Sequence, residues 1–141
     1  MYYNLYYTAR GEIMKIKIQD YTKQLSQKII AVDFDDTITE YRPYPEPAPL
    51  RKEARKYLEK LHKKGYRIVL WTARVNELYD EAYNKCIKDF EMPFIEKDSL
   101  TKGLIHGSSG KLVASFYIDD KSVPGKLNWR KIYKYIIKHI V

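Results

Sequence analysis

Within "IIAVDFDDTITE" (residues 29–40) three carboxylates, Asp33, Asp35 and Asp36, fall inside four positions directly after an apolar run. At ~5 Å and an effective dielectric of ~20, each like-charge pair costs on the order of 3 kcal/mol. A second acidic pair, Asp119 and Asp120, closes another apolar run, "LVASFYI". Between them in the chain, "YRIVLWT" ends in the hydroxyl of Thr72. Clustered carboxylates are the ligand set of a hard divalent cation, and Mg²⁺ suits both the oxygen donors and the need to cancel charge. Such a cation would offset the repulsion. It would also let an anionic substrate approach acids that otherwise repel it.

This chemistry needs the three run-ends to converge. Residues 28–34 read as a buried strand, because four continuous apolar residues suit a parallel strand covered on both faces. Leu50, Ala54, Leu58 and Leu61 then fall at helical spacing, and Gly65 supplies the stop. Residues 66–72 are a second buried strand. A helix follows with Asn76 as cap and Leu78, Ala82, Cys86 and Phe90 on one face; "FIE" after Pro93 suggests a short third strand. Residues 99–111 read as a glycine- and serine-rich loop and 112–118 as another strand. The last helix starts near Asn128, with Trp129, Ile132, Ile136 and Ile140 inward. This alternation predicts an α/β fold: a three-layer, Rossmann-like open parallel sheet with helices on both faces. Ligands of such sheets bind beyond the carboxyl ends of the strands, where Asp33, Thr72 and Asp119 stand.

The domain is expected over 28–141, with 1–27 an N-terminal appendage whose "MKIKIQ" alternation suits an added edge strand. One cysteine, Cys86, rules out an internal disulfide and fits a reducing, cytoplasmic setting, with the thiol as helix packing. No run of 18 apolar residues predicts a membrane span. The net charge of +8, from 26 Lys+Arg against 18 Asp+Glu, favours anionic partners, nucleotides and nucleic acid among them. Much of that charge lies in "RKEARKYLEKLHKK" and "RKIYKYIIKH", where a solvated helix face explains it equally well.

The order of these features resembles the haloacid dehalogenase superfamily, mostly Mg²⁺-dependent phosphatases and phosphotransferases. "DFDDT" matches its DxDx[TV] signature, "IVLWT" its second motif, and the strand ending in Asp119–Asp120 its fourth; Lys111 stands at a plausible place for the third. The layout, with its tail "IDDKSVPGKLNW", looks most like the small capless hydrolases of phages and gut bacteria. Response-regulator receivers use similar acids, Thr and Lys in a different order. The resemblance implies Asp33 as nucleophile and Asp35 as acid and then base. It implies that Thr72 and Lys111 hold the phosphoryl group. Mg²⁺ would lie on Asp33, the Asp35 carbonyl and Asp119, with Asp120 as ligand or support. The residue after the second acid is commonly Gly in that family; here it is Asp36, read as pointing to solvent or tuning Asp35.

Lys102 and Lys97 compete with Lys111 for the lysine role. Arg74 and Lys121 lie just past two strand ends, where they either grip substrate anions or meet solvent. His106 reads as incidental. The 35 positions from Thr37 to Thr72 and the 39 from Thr72 to Lys111 leave no room for a cap, so the site is expected to be open. The expectation is thus a phosphate monoester hydrolase with an aspartyl-phosphate intermediate. Its rivals are a phosphatase for nucleotides or nucleic-acid ends and a non-catalytic, basic nucleic-acid-binding module.

Overall fold

The structure, a computed structural model, describes residues 3–7, 13–17, 23–24, 27–99, 103–106, 110–122 and 127–139. Strands β1 (Tyr3–Tyr7) and β2 (Ile13–Lys17) pair antiparallel, Tyr3 opposite Lys17. The predicted edge strand therefore exists, but its partner is β1; the hairpin is a sheet of its own. The period-2 pattern of "MKIKIQ" marks a strand without saying which edge it joins.

Four strands build the main sheet: β3 (Ile29–Val32), β4 (Arg67–Leu70), β5 (Ile95–Lys97) and β6 (Phe116–Ile118). Their order is β5-β4-β3-β6, and all are parallel. Val32 lies between Leu70 and Ile118 in register. Their ends are stitched by Trp71 N–H to the Val32 carbonyl and Asp33 N–H to the Ile118 carbonyl, both 2.9 Å. The open parallel α/β sheet is the one the sequence predicts.

Helix α1 (Ala54–Lys63) buries Ala54, Tyr57, Leu58 and Leu61. Lys60, His62 and Lys63 in its last turn complement the negative end of the helix, and Gly65 at φ 92° ends it. Helix α2 (Asn76–Asn84) runs into a widened turn, Lys85–Asp89, that Phe90 N–H closes on the Lys85 carbonyl at 3.0 Å. Helix α3 (Trp129–Lys138) starts as expected, with the Asn128 side chain accepting from Lys131 N–H at 3.0 Å.

All three helices pack into one core with Ile30, Val32, Ile68 and Leu70. The opposite face, Ile29, Ala31 and Val69, is covered by Leu104, Leu112 and Ala114. Of the two helical layers expected, the described helices build one, and the other cover is irregular chain. The reason is local: in the described part of the β5–β6 crossover, Gly103 at φ 73° and Gly110 at φ 84° take left-handed backbone that interrupts a helix. Three expectations change with it. The strand read over 112–118 shrinks to Phe116–Ile118, and Leu112 instead makes a lone antiparallel bridge with His106. Leu78 is exposed; the inward face of α2 is Tyr79, Ala82 and Tyr83, continued by Cys86 in the widened turn. Asn76 opens that helix at φ 53° and makes no side-chain cap. Ile140 lies outside the described residues.

The appendage is not wholly separate. Gln24 is buried, and its amide donates to the carbonyls of Ile105 and Val113, both 3.0 Å, while accepting from Ile105 N–H at 2.6 Å. One side chain thus replaces a strand edge along the crossover.

Candidate active site: a carboxylate cluster at the sheet's switch point

The strand order changes direction at β3, with β4 and β5 on one side of it and β6 on the other, and a crevice opens at the carboxyl ends of β3 and β6. Asp33 follows β3, and Asp119 and Asp120 follow β6. One carboxylate oxygen of each lies within 4.8 Å of the others. They are the only such group among the described residues. Mutual repulsion and burial favour a shared proton in the absence of a cation. Asp33 is pushed up to about 7, first by burial, then by its hydrogen bond with Asp120 and the charge of Asp119. Burial also works to raise Asp120, but hydrogen bonds with Asp33, Asp119 and Thr37 outweigh it and hold that carboxyl below its ordinary value. The donor set fits a hard divalent cation: three convergent carboxylate oxygens with an excess of negative charge.

Thr37 organises the cluster. Its hydroxyl lies 3.1 Å from Asp33 Oδ2 and 3.2 Å from Asp120 Oδ1, and accepts from Asp120 N–H at 3.0 Å. Its own carbonyl accepts from the indole N–H of Trp129 at 3.2 Å. Thr37 is buried. It stands in the quoted "DFDDT", yet sequence reasoning gave it no role of its own.

The turn after β3 is shaped by two backbone choices. Asp35 is extended at φ −65°, ψ 127°, and Asp36 is left-handed at φ 56°, ψ 14°. That is a conformation glycine adopts freely and Asp tolerates better than most residues. Asp36 neither points freely to solvent nor touches Asp35: Arg51 Nη2 binds both its carboxylate (2.5 Å) and its carbonyl (2.8 Å). Asp35 stands half exposed at the mouth. Arg74 grips it with two parallel bonds, Nε to Oδ2 at 2.8 Å and Nη2 to Oδ1 at 2.7 Å, and lies over the Phe34 ring. That hydrogen bonding, ahead of any other cause, holds the Arg74 guanidinium above its ordinary value.

These residues wall a cleft of about 500 Å³ that includes Asp33, Asp35, Thr72, Asp119, Asp120 and Lys121. Thr72 Oγ1 accepts from Arg74 N–H at 3.2 Å. Lys121 Nζ lies 3.5 Å from Asp120, and its N–H donates to Asp119 Oδ1 at 2.9 Å. Lys111 is not among the residues that wall the cleft; its Nζ lies 4.3 Å from the Tyr117 ring centre and 5.9 Å from that of Trp71. Lys97 is engaged with Asp80 on α2, 3.3 Å away. Lys102 falls outside the described residues. Tyr41 and Trp71 also line the cleft and were missed, since isolated aromatics carry no motif. His106 is a buried brace: Nδ1 faces the Leu104 carbonyl at 3.1 Å and Nε2 faces Asp98 at 2.5 Å. Cys86 is fully buried with its thiol pushed up to about 12 by burial, which removes it from thiolate chemistry.

An open parallel sheet with a tri-carboxylate group at its switch point is the class this geometry defines. The chain is similar to a solved structure from Bacteroides thetaiotaomicron, described as a conserved protein coded by a locus of that organism. Identity is 36% over 78% of this chain and 89% of that one, with a TM-score of 0.65. The chain belongs to the same family as that protein. No family model and no curated protein matches it. Among the described residues, no helix is long and apolar enough to cross a membrane.

Proposed function

We propose that the protein is a Mg²⁺-dependent phosphatase of the haloacid dehalogenase type, acting on phosphate monoesters through a phosphorylated Asp33. The observation that carries this reading is the grouping of Asp33 with Asp119 and Asp120 at the switch point, with Asp35 two residues on at the solvent side. A cation site alone does not call for Asp35; a reaction in two steps does. In the first, an Asp33 oxygen bonds to phosphorus, the ester P–O bond breaks, and the departing oxygen takes a proton from Asp35. In the second, Asp35 removes a proton from water as the water oxygen bonds to phosphorus. Inorganic phosphate then leaves, and the Asp33 carboxylate is restored. Arg74 holds both Asp35 oxygens in this structure, so one of those two bonds must open for Asp35 to carry and deliver the proton. Thr72 and Lys111 bind the phosphoryl oxygens. A Mg²⁺ ion held by Asp33, Asp119, Asp120 and the Asp35 carbonyl would screen the acids from the incoming phosphate.

Hydrolysis of an aryl phosphate with and without Mg²⁺ tests the reading. Turnover that requires Mg²⁺ and disappears in Asp33→Asn is expected. Undiminished turnover in that variant overturns it, and absence of turnover in any divalent cation leaves the non-catalytic, basic binding module in its place.

A further inference from the structure

Beside the carboxylate cleft lies a second, smaller one of about 130 Å³, between the loop of residues 40–49 and helix α2. Asp35 walls both clefts. The other walls of the small cleft include Tyr44, Arg42, Arg74, Glu81 and Lys85. The loop is stiff for chemical reasons. Four prolines fix its backbone, and its ends are tied by the Thr39–Leu50 bridge and by Glu40 N–H to the Pro49 carbonyl at 2.9 Å. It holds out two tyrosines on this stiff frame: Tyr41 is 66% and Tyr44 72% exposed, high for large aromatics. Tyr41 faces the carboxylate cleft and Tyr44 the small one.

The position of Asp35 gives this arrangement a direction. If Asp35 protonates the departing oxygen, the phosphoryl group lies on the Asp33 side and the leaving group on the other, in the small cleft. The walls there describe what fits. Cations and anions are mixed, with Arg74 already bound to Asp35 and Arg42 to Glu40, so a second phosphate finds no concentrated positive charge. Glu81 and Lys85 offer an acceptor and a donor to a polar edge, and Tyr44 offers a ring face. A flat, uncharged group with amide-like edges meets all of these terms. The cleft's volume suits one ring system; drug-sized ligands occupy several hundred Å³.

We propose that the 40–49 loop and the end of α2 form a leaving-group subsite that selects phosphate esters of nucleosides, the base lying against Tyr44. This rests on the phosphatase reading above. The shared chemistry is a phosphorylated nucleoside, whether a free nucleotide or the end of a nucleic-acid strand.

The test compares kcat/KM in Mg²⁺ for nucleoside 5′- and 3′-monophosphates, 5′- and 3′-phosphorylated oligonucleotides, and glycerol phosphate, in the wild type, Tyr44→Ala and Tyr44→Trp. The wild type should prefer nucleoside esters over glycerol phosphate by at least about tenfold. Tyr44→Ala should shrink that preference about 5- to 100-fold, as loss of one base-stacking ring does, and Tyr44→Trp should retain it. The mononucleotide and oligonucleotide arms separate the two sources of the nucleoside. No preference in the wild type, or one left intact by Tyr44→Ala, overturns the subsite. If no ester is hydrolysed, the phosphatase reading fails, and binding of nucleoside monophosphates by calorimetry decides the subsite alone. Affinity lost in Tyr44→Ala and kept in Tyr44→Trp supports it; equal affinity or none in the wild type overturns it.

Discussion

Removing the charge of Asp33 should stabilise the cation-free protein at neutral and alkaline pH. In the folded state its carboxyl titrates at about 7, against 3.8 for the ordinary group. The folded pKa is the higher one, so below about pH 4 both states hold the proton and folding is unpenalised. Between about pH 4 and 7 the folded state keeps a proton that the unfolded state releases, and stability falls as pH rises. Above about pH 7 the full cost is present. A shift of roughly 3 units corresponds to ~4 kcal/mol at 1.36 kcal/mol per unit. Asp33 is only partly removed from water, and screening cuts this by about half, to ~2 kcal/mol. The amide of Asp33→Asn keeps an acceptor for Thr37 and has no charge to suppress. In chelator, the melting temperature of the variant should therefore match the wild type near pH 4 and exceed it by about 5–10 °C at pH 8. Saturating Mg²⁺ should close the gap, adding ~2.7 kcal/mol to the wild type at a hundred times Kd and less to the variant. Thermal melts from pH 4 to 8, with and without Mg²⁺, measure all of this. A pH-independent difference, or a less stable variant at pH 8, would refute the account of the cluster.

Asp35→Asn should let a substrate with a good leaving group phosphorylate Asp33 but slow release of phosphate, so phosphoprotein should be visible by mass spectrometry; normal steady-state turnover would exclude Asp35 as acid and base. Asp119→Ala should raise the Mg²⁺ concentration needed for half-maximal rate more than it lowers the maximum. Lys111→Ala should do the reverse, and Mg²⁺ titrations of both, with Lys102→Ala alongside, assign the lysine. Thr37→Val should cost about 1–3 kcal/mol in denaturant unfolding, because it leaves the part-buried Asp120 N–H without its hydroxyl acceptor. A stability change below a few tenths of a kcal/mol would show that Thr37 does not organise the site.

Long apolar runs made the main sheet readable. "IIAV" and "RIVL" are covered on both faces, so they leave a continuous signal, and the acids that interrupt such runs mark the strand ends. The convergence of Asp33 with Asp119 and Asp120 followed from that grammar, as did Thr72 beside them. What stayed hidden was held by polar side-chain bonds. Gln24 reaches Ile105 and Val113, and Asp98 reaches a buried His106, yet no residue spacing announces either contact. Asp36 looked solvated because its partner, Arg51, lies beyond a proline loop. Leu78 was assigned inward by helical period, but it lies beyond the region that α2 packs against, and the larger Tyr79 and Tyr83 fill the contact instead.

The bond from the Trp129 indole to the Thr37 carbonyl joins residues 92 positions apart. It has a consequence for the order of events during synthesis. The sheet's central pairings use strands that have all emerged by Ile118, but the turn bearing the acids receives this brace only from α3. A nascent chain can therefore pair its sheet before α3 braces the Thr37 turn and completes the core. The turn that carries the crowded like charges is locked only once α3 has added its share of the apolar burial.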